Sequence, residues 1–224
     1  MKVIILCGGR GLRLNEFTQD IPKSMIDIRG KPLLWYICRH YQKYGFNDFI
    51  FCLGYKGEMI KEYFEKTDFN IQFIDTGENT TKTERLKQIE HLIDGNIFML
   101  SYGDDLCDVD INKLLEFHKK RKAIFTLTAI NLTSEFGIFD IKGNGIVRNF
   151  REKPELPYWI NSGYYVLNKH IFFTWLRNQT EDFEKSIFPH TTQLMAFKHY
   201  GFWKPINTFK DVMELRENEK LLEE

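Results

Sequence analysis

Val3-Ile-Ile-Leu-Cys-Gly-Gly-Arg-Gly-Leu-Arg-Leu14, followed after a short polar link by Ile21-Pro-Lys-Ser-Met25, is the stretch that decides the fold. A run of β-branched and apolar residues with no charge after Lys2 reads as a strand buried on both faces. The glycines that follow allow a sharp turn at its carboxyl end, which is where open α/β sheets bind ligands. Gly8, Gly9 and Gly11 clear side chains from a turn whose backbone N–H groups can approach an anion, while Arg10, Arg13 and Lys23 add positive charge around it. Such a loop suits phosphate. Two familiar phosphate loops do not fit: Leu14 stands where a dinucleotide fingerprint needs its third glycine, and Gly30-Lys31 is followed by Pro32 instead of Ser or Thr.

Working outward, Leu33, Leu34, Ile37, Cys38 and Tyr41 recur at helical spacing and predict a core-facing helix over 31–44 that ends at Gly45. Strands are expected over 48–53, 70–75 and 96–101, with helices over 58–64 and 84–93 between them. Strand alternating with helix is the pattern of a parallel, doubly wound sheet. Beyond Ala123 the pieces shorten to strands over 125–131, 136–142, 146–150 and 163–167, with a hairpin turn at Gly143-Asn144-Gly145. A late strand over 193–198 and a terminal helix from Phe209 complete the chain.

Acidic and basic residues balance at 31 each, which argues against nucleic acid or an anionic membrane as the main partner. The N-terminal apolar run is too short for a signal segment and no stretch reaches membrane-spanning length, so a cytoplasmic protein is expected. Cys7, Cys38, Cys52 and Cys107 form no C-x-x-C pair and read as buried, reduced thiols. The six histidines show no metal-ligand spacing, and none is assigned to catalysis.

Tyr102-Gly103-Asp104-Asp105 follows the fourth strand and puts two carboxylates at the sheet edge that carries the glycine loop. Carboxylates beside bound phosphates commonly hold Mg²⁺; the plainer role for either Asp is to cap the helix starting near Asp110. In Arg151-Glu152-Lys153-Pro154, the proline is expected to keep Lys153 extended, with its amine available to a ligand or simply solvated.

Gly8-Gly9-Arg10-Gly11-Leu12-Arg13-Leu14, Pro22-Lys23-Ser24-Met25 and Gly30-Lys31-Pro32-Leu33 together resemble the signature of the sugar-phosphate nucleotidyltransferases, and within them the glucose-1-phosphate cytidylyltransferases. The similarity continues through Gly54-Tyr55-Lys56-Gly57, Asp75-Thr76-Gly77, Arg85-Leu86-Lys87, Tyr102-Gly103-Asp104, Glu152-Lys153-Pro154, Ile160-Asn161-Ser162-Gly163 and Gly201-Phe202-Trp203-Lys204-Pro205. The resemblance implies a Rossmann-like, doubly wound, mixed and mostly parallel α/β sheet with a small antiparallel acceptor-binding subregion. It implies a single nucleotidyltransferase domain over 1–224, in which about 1–122 binds nucleotide and about 123–224 binds acceptor.

The chemistry so implied is attack of an acceptor phosphate oxygen on the α-phosphorus of CTP, with pyrophosphate leaving. The nucleophile is already an anion, which agrees with the lack of a nucleophile–base constellation, because this transfer needs positioning and charge neutralisation. By resemblance, nucleotide contacts fall on Leu6, Gly8, Gly9, Arg10, Gly11, Arg13, Lys23, Thr76, Gly77 and Arg85, with Arg13, Lys23 and Lys153 catalytic. Asp104 would carry Mg²⁺, with Asn207 a weakened second ligand and Asp105 a further candidate. Tyr102, Asp105, Glu152, Lys153 and Asn161 would face the acceptor. The implied partners are CTP and a phosphorylated small molecule, with a homo-oligomer compatible, and the implied product is an activated precursor of capsule or surface polysaccharide.

Several positions depart from the family pattern. Leu12 replaces a loop Thr, Thr83-Glu84 replace two glycines before Arg85, Asn207 replaces an Asp, and Asp105 replaces a small or neutral residue. An insertion that the family carries between Phe64 and Asp75 is missing. The acceptor the resemblance implies is a sugar 1-phosphate such as glucose 1-phosphate; the extra carboxylate at Asp105 raises the alternative of an amine-bearing phosphate, a phosphorylated amino acid or amino alcohol. A donor change to dTTP or UTP stays open, as does a non-catalytic regulator that binds nucleotide without turning it over.

Overall fold

The computed structural model describes residues 1–11 and 20–217. Seven strands make one sheet: β1 (Val3–Leu6), β2 (Asp48–Leu53), β3 (Asn70–Asp75), β4 (Ile97–Tyr102), β5 (Phe125–Thr133), β6 (Glu155–Asn168) and β7 (Leu194–His199). Their spatial order is β7-β5-β6-β4-β1-β2-β3. β1 runs parallel to β4 and β2, β2 to β3, and β5 to β7, whereas β6 is antiparallel to both of its neighbours. This is the mixed, mostly parallel sheet that the resemblance implies; the alternation of elements alone predicts a parallel one, and antiparallel β6 departs from it.

Side chains alternate across a strand, so an unbroken apolar run feeds both faces of a sheet. Val3, Ile5, Phe49 and Phe51 enter one core, and Ile4, Ile50 and Cys52 enter the other. Helices α1 (Leu33–Lys43), α2 (Gly57–Phe64), α3 (Lys82–Ile89), α4 (Ile111–Lys120), α5 (Lys169–Leu176), α6 (Phe183–Ser186) and α7 (Phe209–Glu217) cover the two faces. Leu33, Ile60, Leu114 and Leu215 bring α1, α2, α4 and α7 to the first core. Leu86, Phe172 and Phe183 bring α3, α5 and α6 to the second.

The local departures from expectation have local causes. Residues Lys31–Pro32 pair with Asp27–Ile28 in a small ladder instead of opening α1. Helix α3 begins at Lys82 and not at 84, because Thr81 and Glu84 cap it reciprocally through side chain and backbone, and a 3-10 turn at Glu90–Leu92 takes over its predicted end. β6 extends well beyond the predicted 163–167, with register shifts on both sides of Trp159–Asn161. Helices α5 and α6 are additional to the expected elements. The predicted hairpin forms, joining Ile138–Ile141 to Val147–Arg151. The link from α2 to β3, residues 65–69, is short, as the missing insertion implies.

All four cysteines are buried and unpaired. Burial pushes the Cys7 and Cys38 thiols up, and the Cys52 thiol to about 12, as expected for inert core thiols. Among the described residues, no helix is long and apolar enough to cross a membrane.

Candidate active site

Leu6 of β1 lies in register with Tyr102 of β4, so the glycine loop and Asp104 leave the same edge of the sheet side by side. The Gly103 N–H donates to the Leu6 carbonyl over 3.1 Å and ties the two exits together. Between them opens a cavity of about 690 Å³, lined by Leu6, Gly8, Gly9, Arg10, Gly11, Lys23, Glu78, Lys82, Arg85, Tyr102, Asp104, Asp182 and Asn207, among others.

Lys23 is aimed by backbone geometry. Pro22 precedes a 3-10 turn over Lys23–Met25, closed by the Met25 N–H on the Pro22 carbonyl at 2.8 Å. Gly11, in the left-handed region at φ +63°, packs against this turn so closely that a Cβ there would meet the Lys23 Cβ at 2.8 Å. The largely buried Lys23 ammonium then reaches Asp104 Oδ2 at 2.6 Å and Asn207 Oδ1 at 3.2 Å. Asn207 is held in turn by its own N–H on Asp211, which also caps α7 through Thr208, and by the Ile206 N–H on the Asp104 carbonyl.

Arg85 reaches the cavity wall from beneath the loop. It is 4% exposed and lies under the loop, donating to the carbonyls of Leu53 (2.7 Å), Glu78 (3.2 Å) and Gly8 (3.3 Å) and to Thr76 Oγ1 (2.6 Å). Burial pulls its pKa down, and the buried thiols of Cys52 and Cys7 oppose that shift. A Cβ on Gly8 would stand 2.2 Å from the guanidinium, which explains why the loop carries no side chain there. Thr76 is buried and, like Gly77, lies outside the cavity wall; its carbonyl accepts from the Thr80 hydroxyl at 2.6 Å and so braces the loop 78–81, while the Gly77 N–H donates to Asp75. Arg10 is exposed, pairs with Glu78 and lies over the Tyr55 ring.

Lys82 is a cavity residue that sequence reasoning missed, as it missed Glu78 and Asp182. At the first position of α3 its ammonium pairs with Glu184, approaches Asp182 at 3.7 Å and the Tyr102 hydroxyl at 3.3 Å, and lies over the Tyr102 ring. Burial opposes its charge, but Glu184 and then Asp182 outweigh it and raise its pKa. The capping pair Thr81 and Glu84 is the local signal that places Lys82 at a helix start. Nothing local announces Asp182 and Glu184, which arrive about a hundred residues later at the start of α6.

The acceptor candidates divide. Tyr102 lines the cavity, and its hydroxyl bonds Glu184 and accepts from Tyr165 at 2.8 Å; Asn161 reaches it only through the Tyr165 hydroxyl. Asp105 does not line the cavity: its Oδ2 packs against Gly163 beside the Tyr102 ring. Burial, and then the neighbouring Asp104 carboxylate, push its carboxyl well above the ordinary range, with Lys23 opposing them. Neither Asp104 nor Asp105 caps α4; Asp110 does, accepting from the Lys113 N–H at 2.9 Å. Glu152 and Lys153 are exposed at the end of the hairpin, away from the cavity wall. Lys153 is not extended but left-handed at φ +43°, because the chain must turn from Arg151 into β6 within three residues. Leu12, Arg13 and Leu14 lie outside the described residues. Away from the cavity, His199, Asp108 and Cys107 gather beside the ladder of Asp105–Cys107 with Trp203–Pro205, where His199 bonds Asp108 at 2.6 Å.

The comparisons with known proteins follow the same lines. The glucose-1-phosphate cytidylyltransferase of Salmonella typhimurium is 37% identical to this chain, and the probable glucose-1-phosphate cytidylyltransferase of Bacillus subtilis is 35% identical. Each alignment covers 96% of this chain and 94% of the relative. The crystal structure of HddC from Yersinia pseudotuberculosis complexed with GMP-PN superimposes with a TM-score of 0.76 at 26% identity, covering 96% of this chain and 98% of that one. The Nucleotidyl transferase family pattern matches residues 2–220, and the chain belongs to that family.

Proposed function

We propose that this chain is a cytidylyltransferase that transfers CMP from CTP to a sugar 1-phosphate, with glucose 1-phosphate the first candidate, and releases pyrophosphate. The observation that carries this reading is the full-length likeness to two glucose-1-phosphate cytidylyltransferases, one at 37% identity. It is supported by the convergence of the glycine loop, Lys23, Asp104 and Asn207 on one cavity.

In the proposed reaction an acceptor phosphate oxygen forms a bond to the α-phosphorus, and the bond from that phosphorus to the α,β-bridging oxygen breaks. No proton is abstracted from the nucleophile. The backbone from Gly8 to Gly11 would receive the triphosphate, and Lys23 would neutralise charge near the α-phosphate. Arg85 would act from beneath, fixing the loop's shape without touching the reacting atoms. Arg13, and Lys153 with Glu152 at the hairpin end, remain proposed contacts.

Asp104 and Asn207 form an all-oxygen donor set of the kind Mg²⁺ takes, and the Lys23 ammonium between them shows that both oxygens converge on one positive charge. Bound Mg²⁺ would supply charge neutralisation to the triphosphate oxygens. A CTP-consuming reaction of this kind belongs to the cytoplasm and yields an activated sugar for surface polysaccharide.

The test is pyrophosphate release by the purified protein with Mg²⁺ and glucose 1-phosphate, comparing CTP, UTP, dTTP and GTP. CTP is expected to give the fastest release. No release from CTP with any sugar 1-phosphate, or faster release from another triphosphate, would overturn the reading.

A further inference from the structure

Three side chains of different chemistry meet at the end of the Asp105–Cys107 and Trp203–Pro205 ladder that lies away from Asp104: the Cys107 thiol, the Asp108 carboxylate and the His199 imidazole. Their ligand atoms all lie within 4.8 Å of one another, and among the described residues no other three groups of this kind do. Spacing along the sequence hides the group, because His199 enters 91 residues after Asp108.

The chain folds over itself to make them converge. Cys107 pairs with Trp203, and the Asp108 N–H donates to the Phe202 carbonyl at 3.1 Å. The turn 200–202 keeps His199, at the end of β7, against the same spot, where its Nε2 lies 2.6 Å from Asp108 Oδ1 and 3.4 Å from the Phe202 carbonyl. Gly201 leaves room beside them. Its φ is outside the left-handed region, so the backbone conformation alone does not call for glycine there. A Cβ at this position would run into Asp108 Oδ1 and stand 2.8 Å from His199 Nε2. The bare backbone keeps both ligand atoms clear of a covering side chain.

A hydrogen-bonded His–Asp pair is complete without a thiol; the third donor, from buried Cys107, turns the pair into a ligand set. Thiolate and imidazole are the donors of borderline and soft cations, and a carboxylate can complete such a set for Zn²⁺. Mg²⁺, which takes oxygens, is not drawn to it. At Zn²⁺ bond lengths of about 2.0–2.3 Å, tetrahedral ligand atoms stand about 3.4–3.6 Å apart, so the donors need move by only about an ångström as the ion replaces the His199–Asp108 hydrogen bond. Asp108 is half-exposed, which gives the ion a path from solvent and leaves a fourth position to water.

We propose that Cys107, Asp108 and His199 form a binding site for a divalent cation of the zinc class, separate from the Asp104–Asn207 site. Binding releases the Cys107 thiol proton to solvent and leaves the remaining proton of a neutral His199 on the ring nitrogen that faces away from the ion. The ion joins 107–108 to 199 across the ladder whose other end sets Asp105 opposite Pro205, so it fixes the strand pair that spaces Asp104 from Asn207. The proposal is independent of which nucleotide the cavity takes.

The test is titration of the reduced, metal-free full chain with Co²⁺, a spectroscopic probe of Zn²⁺ sites, in excess Mg²⁺ to occupy the oxygen site. One equivalent of Co²⁺ is expected to raise a thiolate-to-cobalt charge-transfer band in the near ultraviolet with the visible bands of a tetrahedral ion, and Zn²⁺ is expected to bleach both. Altering a neighbour of a ligand costs about 10–100-fold in metal affinity, so losing a ligand in His199→Gln or Asp108→Asn should weaken binding by about 100-fold or more. Exposed His170→Gln on α5 should bind as the wild type does. Cys107→Ser should lose the charge-transfer band. A wild type without that band overturns the proposal, as does a folded Cys107→Ser that keeps it. Should Cys107→Ser or His199→Gln fail to fold, Asp108→Asn at its half-exposed position decides, and wild-type Co²⁺ affinity in that variant refutes the site.

Discussion

The Lys23 ammonium lies 2.6 Å from Oδ2 of Asp104, joining the turn after the glycine loop to the exit of β4 across 81 residues of sequence. A charge held at the cavity is available to an incoming triphosphate, and each such contact is worth about 3–4 kcal/mol to a transition state. Lys23→Ala is therefore expected to lower kcat by about 10²–10³-fold. Thermal melting and steady-state pyrophosphate release on the same preparation check it: a large kinetic loss should accompany only a small shift in Tm.

Asn207 offers a neutral oxygen beside the Asp104 carboxylate, and a second carboxylate binds a hard divalent cation more tightly. Asn207→Asp should lower the Mg²⁺ concentration for half-maximal activity by about tenfold, which corresponds to about 1.4 kcal/mol. An unchanged Mg²⁺ requirement would falsify the assignment of this position to the metal.

Arg85 satisfies three backbone carbonyls and a threonine hydroxyl in a buried setting. A lysine has neither the planar fork nor the reach to replace it. Arg85→Lys is expected to cost about 2–4 kcal/mol of folding stability by leaving carbonyls unsatisfied, and to raise KM for the nucleotide. Urea unfolding measures the first effect and initial rates the second; a variant of wild-type stability would remove Arg85 from its role under the loop.

His118 on α4 is buried and bonds Thr126 Oγ1 at 2.9 Å, and burial, then the nearby Lys119, lower its pKa to about 4. A depressed histidine binds its proton more readily when unfolded. Its stabilising effect is therefore complete above the unfolded value near 6.5 and is lost as pH falls toward 4. Allowing for solvent screening, the loss is about 2 kcal/mol. Urea midpoints from pH 7 to pH 4 should fall less steeply in His118→Gln than in the wild type, and parallel slopes would contradict the assignment.

Much of the fold was legible because the strands that carry the site are short, apolar and bounded by turn residues. Val3–Leu6 and Asp48–Leu53 could hardly be anything but strands buried on both faces. β6 was legible only in part: Pro157, Asn161 and Gly163 are all poor strand residues, and the strand absorbs them at its register shifts. At the site, the glycine loop, Lys23, Asp104 and Asn207 were readable from motif order, and the structure brings them to one cavity. Lys82 with Glu184 was not, because an ion pair between α3 and α6 exists only after the chain has folded. The backbone of Lys153 was misjudged because the tight reversal into β6 overrides the extended preference set by Pro154.

The place of β6 in the sheet bears on synthesis as well as on shape. Its residues Tyr164–Asn168 pair with Ile97–Ser101 on β4, so β4 keeps an open, apolar edge until they have been made. Roughly 60 residues separate the two segments, several seconds of translation at about 5–20 residues per second. Throughout that interval the emerging chain presents an unpaired strand to its neighbours on the polysome. A gene fragment ending near residue 122 would make that condition permanent, and its product should precipitate where the intact chain stays in solution.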